Sequence, residues 1–113
     1  MMTEKAKELL GQAQTYQQQL QVLLAQKEAI TMQLIELKKA LEELGKTKET
    51  EVYRISGPIL IRAKKTDVKK DLQDKEKIMD TRVKTIETNE KRIKDKLDEL
   101  RQDLTKTDIK GAK

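Results

Sequence analysis

Adjacent carboxylates are the nearest this chain comes to a catalytic pattern, and their spacing defeats the chemistry. Glu42/Glu43 and Asp98/Glu99 are sequence neighbours. On a helix such neighbours point about 100° apart, so neither pair converges on one reacting atom as acid–base catalysis demands. The chain has no His and no Cys, which removes the commonest general base and the softest metal ligands. Its glycines, Gly11, Gly45, Gly57 and Gly111, are scattered, and no P-loop or dinucleotide fingerprint occurs. No enzyme activity, cofactor or metal is therefore expected. The residues left to carry function are apolar, and they gather in two places that particular elements must position.

The first is Glu51–Arg62, the one stretch that does not read as helix. Val52–Ile55 and Ile59–Ile61 are β-prone runs joined by Ser56-Gly57-Pro58, which predicts a hairpin over about 51–62. The linker is not among the strongest two-residue hairpin signals, so a looser turn is expected. Ile59-Leu60-Ile61 must put side chains on both faces, and a lone two-stranded hairpin is marginal in water. Faces and edges both need cover that one chain lacks. Val52, Tyr53, Ile55, Gly57, Pro58, Ile59, Leu60 and Ile61 are therefore the expected oligomerisation residues.

Two long helices flank the hairpin. The first is expected over about 3–44, with Thr3 as N-cap, Glu4 in the first turn and Gly45 as C-cap. Its seam steps by four and three through Leu9, Ala13, Tyr16, Leu20, Leu23, Lys27, Ile30, Leu34, Leu37, Leu41 and Leu44, with Lys27 as the intruder. Leu10, Leu24 and Ile35 widen the stripe. Forty-odd residues at about 1.5 Å each make a rod of about 60 Å. The second helix is expected over about 66–104, capped by Thr66 or Asp67. Its seam is Leu72, Glu76, Met79, Val83, Ile86, Glu90, Ile93, Leu97, Leu100 and Leu104, with Glu76 and Glu90 as polar interruptions. Outer-face support is expected from the pairs Asp71–Lys75, Asp80–Lys84, Glu87–Lys91 and Glu90–Lys94. Beyond Leu104 the pattern lapses, and 105–113 is expected to fray. Nearly equal helices joined by a hairpin pair most simply as an antiparallel two-helix coiled coil. The expected fold is mainly α, one domain over 1–113.

Composition agrees. Charged residues make up 40% of the chain and aromatics 2%, with only Tyr16 and Tyr53, too little aromatic volume for a globular core. The net charge is +5. Residues 1–50 hold seven Lys against seven acids, so the excess lies in the remainder. There the signs are finely mixed, which reads as solvated helix faces and not as a phosphate-binding stripe. With only two aromatics, too few to stack along a strand of bases, nucleic acid is not an expected partner. No apolar run approaches about 18 residues, so no membrane span is expected. The N-terminal residues lack the apolar core of a signal peptide, and a cytoplasmic location is expected.

The second apolar gathering is the far end of the helix pair. Met1, Met2, Ala6, Leu9 and Leu10 would lie near Leu100, Leu104 and Ile109. They could simply complete the coiled coil. Seams fray at rod ends, however, and apolar residues that splay apart offer an adaptable binding surface. These eight are the expected client-binding residues.

Several stretches resemble the β-type subunit of prefoldin, a co-chaperone family: Tyr16–Leu20 (Tyr-Gln-Gln-Gln-Leu), Lys38–Leu44 (Lys-Lys-Ala-Leu-Glu-Glu-Leu), Glu51–Arg54 (Glu-Val-Tyr-Arg), Gly57–Arg62 (Gly-Pro-Ile-Leu-Ile-Arg) and Val83–Glu87 (Val-Lys-Thr-Ile-Glu). A single hairpin matches the β type, whereas α-type subunits carry two. Pro58 departs from the Asn often found there in archaeal members. The resemblance implies a hexamer with α-type subunits and further copies of this chain, its hairpins joined in an intersubunit β-barrel. It also implies coiled-coil tips that hold unfolded protein clients, transfer to a group II chaperonin, and no ATP. Two other functions fit the residues: a structural coiled-coil assembly subunit without clients, and a basic nucleic-acid-binding coiled coil, against which the interleaved acids speak.

Overall fold

The computed structural model describes residues 3–111, with side chains described through Lys106. The order of elements is α1 (Glu4–Lys46), β1 (Glu51–Ser56), β2 (Ile59–Lys64) and α2 (Lys65–Gly111). Thr3 caps α1 as its side chain should. Its Oγ1 accepts the Ala6 amide at 3.1 Å, which satisfies one of the donors a helix start leaves over, and its carbonyl accepts the Lys7 amide at 3.1 Å as the first intrahelical bond. Glu4 sits in the first turn, favourably placed for the helix dipole.

The helix ends differ from the sequence expectation in three ways. Gly45 is not a left-handed C-cap, because Gly57 has the one positive φ among the described residues and α1 runs on to Lys46. Its last turn is closed from outside instead: the Thr47 amide donates to the Glu43 carbonyl at 3.2 Å, and Lys65 Nζ donates to the Thr47 carbonyl at 2.7 Å. Neither Thr66 nor Asp67 caps α2, which already begins at Lys65. The Lys65 amide continues the hairpin ladder by donating to the Thr50 carbonyl at 2.9 Å, so strand passes into helix without a loop. Finally, 105–111 is helix and not a frayed tail. No Gly or Pro interrupts the chain between Leu104 and Gly111, so no backbone breaker ends the helix where the apolar pattern stops.

The hairpin turn is also tighter than expected. β1 and β2 pair antiparallel from Glu51↔Lys64 to Ser56↔Ile59, leaving only Gly57-Pro58 as the loop. Gly57 has φ +58 and the Pro58 ring holds φ near about −65°. This positive-then-negative order belongs to a type II′ turn, whose twist matches that of the strands.

Packing falls into two compact units, one made of the residues up to Glu28 with those from Lys84 onward, the other of Ala29–Val83. In the first, Ala6, Leu9, Ile86, Ile93 and Leu100 are buried, and in the second Leu34 and Leu37 are. Every other described position of the two expected seams is at least half-buried, while the flanking Leu24, Ile35 and Ile78 stay exposed. The helices run antiparallel within each unit. Leu23 shares a cleft with Ile93, and four residues on Lys27 meets Glu90. In the other unit Ala40, Leu44 and Thr47 share a cleft with Leu72 and Val68. Each buried Leu or Ile contributes about 1.5–3 kcal/mol. Of the expected outer-face pairs, Glu90–Lys94 forms at 3.7 Å. Asp71 turns instead to Arg54 of β1 at 3.1 Å, and Glu87 to Lys27 at 4.0 Å.

Candidate functional site

Antiparallel pairing puts directly opposed residues on one face of the hairpin. Val52/Ala63, Arg54/Ile61 and Ser56/Ile59 share one face, and Glu51/Lys64, Tyr53/Arg62 and Ile55/Leu60 share the other. The first face turns its root towards the helices, where Val52 and Ala63 are half-buried. Here Arg54 Nη1 reaches Asp71 Oδ2 of α2. Towards the turn this face is open, with Ile59 and Ile61 both exposed. On the second face Arg62 Nε lies 3.3 Å from Glu51 Oε2, beside the exposed Tyr53. Ile55 and Leu60 stand 79% and 67% in solvent. These values are extreme for residues that normally fill cores. Beneath the hairpin, Ala40, Leu44, Val52, Val68 and Leu72 line a cleft of about 500 Å³.

All eight hairpin residues expected to mediate assembly thus lie in one continuous two-stranded ribbon and its turn. Sequence reasoning missed Ala63 and Val68 at the hairpin root. Val68 stands four residues before Leu72 and continues the seam spacing, so its signal was present. The Arg54–Asp71 contact joins a strand to a helix 17 positions away, and nothing in local periodicity points to it.

The other expected site is more closed. Ala6 is 1% exposed, and Leu9 and Leu100 are also buried, so in this structure they complete the seam. Leu10 and Leu104 are half-buried. Met1, Met2 and the side chain of Ile109 lie outside the described residues. No group of three or more His, Cys, Asp or Glu side chains that could hold a metal ion occurs among the described residues. No described helix is long and apolar enough to cross a membrane.

The family described as "Prefoldin subunit" matches residues 7–107 of the chain. The prefoldin subunit beta of Thermococcus onnurineus is 37% identical over 97 residues, covering 85% of this chain and 84% of that one. That of Archaeoglobus fulgidus is 38% identical with the same coverage. Among solved structures, the prefoldin beta subunit from Thermococcus strain KS-1 superposes with a TM-score of 0.88 at 30% identity, covering 94% of each chain. The beta2 subunit from the same strain has a TM-score of 0.71 at 18% identity, a likeness of fold alone.

Proposed function

The chain belongs to the prefoldin family of chaperone subunits, as a member of the β type, and on that premise we propose that it is an ATP-independent holdase subunit. It assembles through its hairpin with α-type subunits and further β-type copies, as a hexamer whose hairpins close into a β-barrel. It holds unfolded proteins at the helix ends formed by the first and last residues of the chain and passes them to a group II chaperonin in the cytoplasm. The observation that carries this reading is the hairpin, where Tyr53, Ile55, Ile59, Leu60 and Ile61 stand in solvent. An isolated ribbon with two apolar faces and two open edges is marginal in water, and strands from other subunits would relieve both.

Client binding rests on the helix ends. Leu10 and Leu104 are already partly open there, and terminal turns open at little free-energy cost. Opening would add Ala6, Leu9 and Leu100 to the surface. Each end would bind weakly, and several ends on one scaffold would gain by effective concentration.

A structural subunit without clients is the second reading, favoured by the burial of Ala6, Leu9 and Leu100. Light scattering separates the two when a chemically unfolded protein is diluted into buffer without ATP. The chain is present alone, then mixed with an α-type subunit. Suppression of aggregation that saturates near one complex per client and strengthens with the partner is expected. A well-formed oligomer that suppresses nothing would transfer the assignment to the structural reading.

A further inference from the structure

The two apolar seams each carry a charge in the unit that contains Glu28 and Lys84, and these two charges meet. Lys27 Nζ lies 3.4 Å from Glu90 Oε1 and 4.0 Å from Glu87 Oε2. Lys94 Nζ closes the other side of the carboxylate, 3.7 Å from Glu90 Oε2. The Glu90 side chain is 11% exposed and that of Lys27 33%, so the contact is largely withdrawn from water. This is unlike the helix-surface pairs, for example Lys46–Glu42.

We propose that Lys27 and Glu90 determine pairing specificity, setting which helix α1 accepts and in which register. An apolar heptad seam is nearly degenerate under a slip of seven residues. Seven positions from Lys27 stand Leu20 and Leu34, and seven from Glu90 stand Val83 and Leu97. A one-heptad slip in either direction therefore keeps apolar residues against apolar residues along most of the seam. It also sets Lys27 against Leu97 or Val83, and Glu90 against Leu20 or Leu34. Lys27 then loses both its acceptors, and Glu90 keeps only Lys94 of its own helix. Taking the cross-helix partner from a largely buried charge is strongly unfavourable, so the slip is opposed at this point above all. Exchange between copies is opposed in the same way. Parallel pairing of α1 with α1 of a second copy brings Lys27 to Lys27, and of α2 with α2 brings Glu90 to Glu90. A single polar position in a coiled-coil seam fixes register in this manner at some cost in stability. Helix-surface pairs cannot do so, because both partners lie on one helix and move together.

The test reads register directly. The chain has no cysteine, and Gln19 and Arg92 are exposed positions bordering the same cleft, so spin labels on Q19C/R92C report the axial offset of the two helices. Full-length labelled chain is diluted in unlabelled chain to suppress distances between copies. The parent is expected to give one narrow distance distribution. K27L/E90L, which makes both seams apolar, should keep its helix content and melting temperature. It should also show a second population displaced by up to about 10 Å, the rise of one heptad. K27L alone leaves Glu90 without its cross-helix partner and should melt at a lower temperature than K27L/E90L. A K27L/E90L chain that kept the single parent distance would overturn the proposal, since the apolar contacts and the hairpin join, where Lys65 ties α2 to the end of α1, would then determine register without the charge pair. So would K27L melting no lower than K27L/E90L, since the loss of Glu90's cross-helix partner would then carry no penalty.

Discussion

At the scale of single residues, Gly57 is the position where identity matters most to the hairpin. Its φ of +58 lies in the left-handed region, and a Cβ added there would meet no atom within 4 Å. A substitution is therefore opposed by backbone strain alone. Gly57→Ala should weaken the turn by about 1–2 kcal/mol, and Gly57→Asn by less, because a short polar side chain tolerates this conformation better. Amide exchange along the β1–β2 ladder is the measurement, with helical circular dichroism as control. Equal exchange in the parent and the Ala variant would show that the turn does not hold the ribbon. Pro58 completes the same turn, and together the two residues hold Ser56 against Ile59.

At the scale of elements, the helix pair depends on its seam and hardly on its flanks. Leu37 and Ile93 are buried, whereas Met32 is 60% exposed on the same helix as Leu37. Leu37→Ala or Ile93→Ala removes packed volume and should cost about 2–5 kcal/mol. Met32→Ala should stay within about 0.5 kcal/mol. Thermal melts followed by circular dichroism separate the two classes. Similar melting temperatures for Leu37→Ala and Met32→Ala would mean that these seam positions do not hold the helices together. The join between strand and helix is firm for a separate reason. Lys65 serves both elements, its amide bonded to Thr50 and its ammonium to Thr47, which ties the start of α2 to the end of α1.

At the scale of the whole molecule, the hairpin and the helix ends have separable roles under the proposed function. Ile59→Asp or Ile61→Asp puts a charge on an apolar face of the ribbon. Either should reduce the oligomer to smaller species while the helix content stays unchanged. Sedimentation velocity checks this, and an unaltered profile would remove the hairpin as the joint. Deleting residues 1–10 and 101–113 should do the reverse, leaving assembly intact and abolishing suppression of aggregation. A truncated complex that still held clients would place binding elsewhere along the helices.

Much of this protein is determined by local sequence alone. Heptad spacing marks which positions of α1 and α2 turn inward, because a helix repeats every 3.6 residues whatever it packs against. β-branched runs around Gly57-Pro58 mark the hairpin, and Ile59-Leu60-Ile61 marks its two apolar faces, because side chains alternate across a strand. Tertiary structure decided what depends on two distant segments at once. The closing of α1 follows from Lys65 across the hairpin, and the burial of Ala6, Leu9 and Leu100 from the helix opposite. Lys27 and Glu90 show the division most plainly. Each reads alone as a flaw in its seam, and only the register of the antiparallel pair, which no single helix encodes, makes them partners.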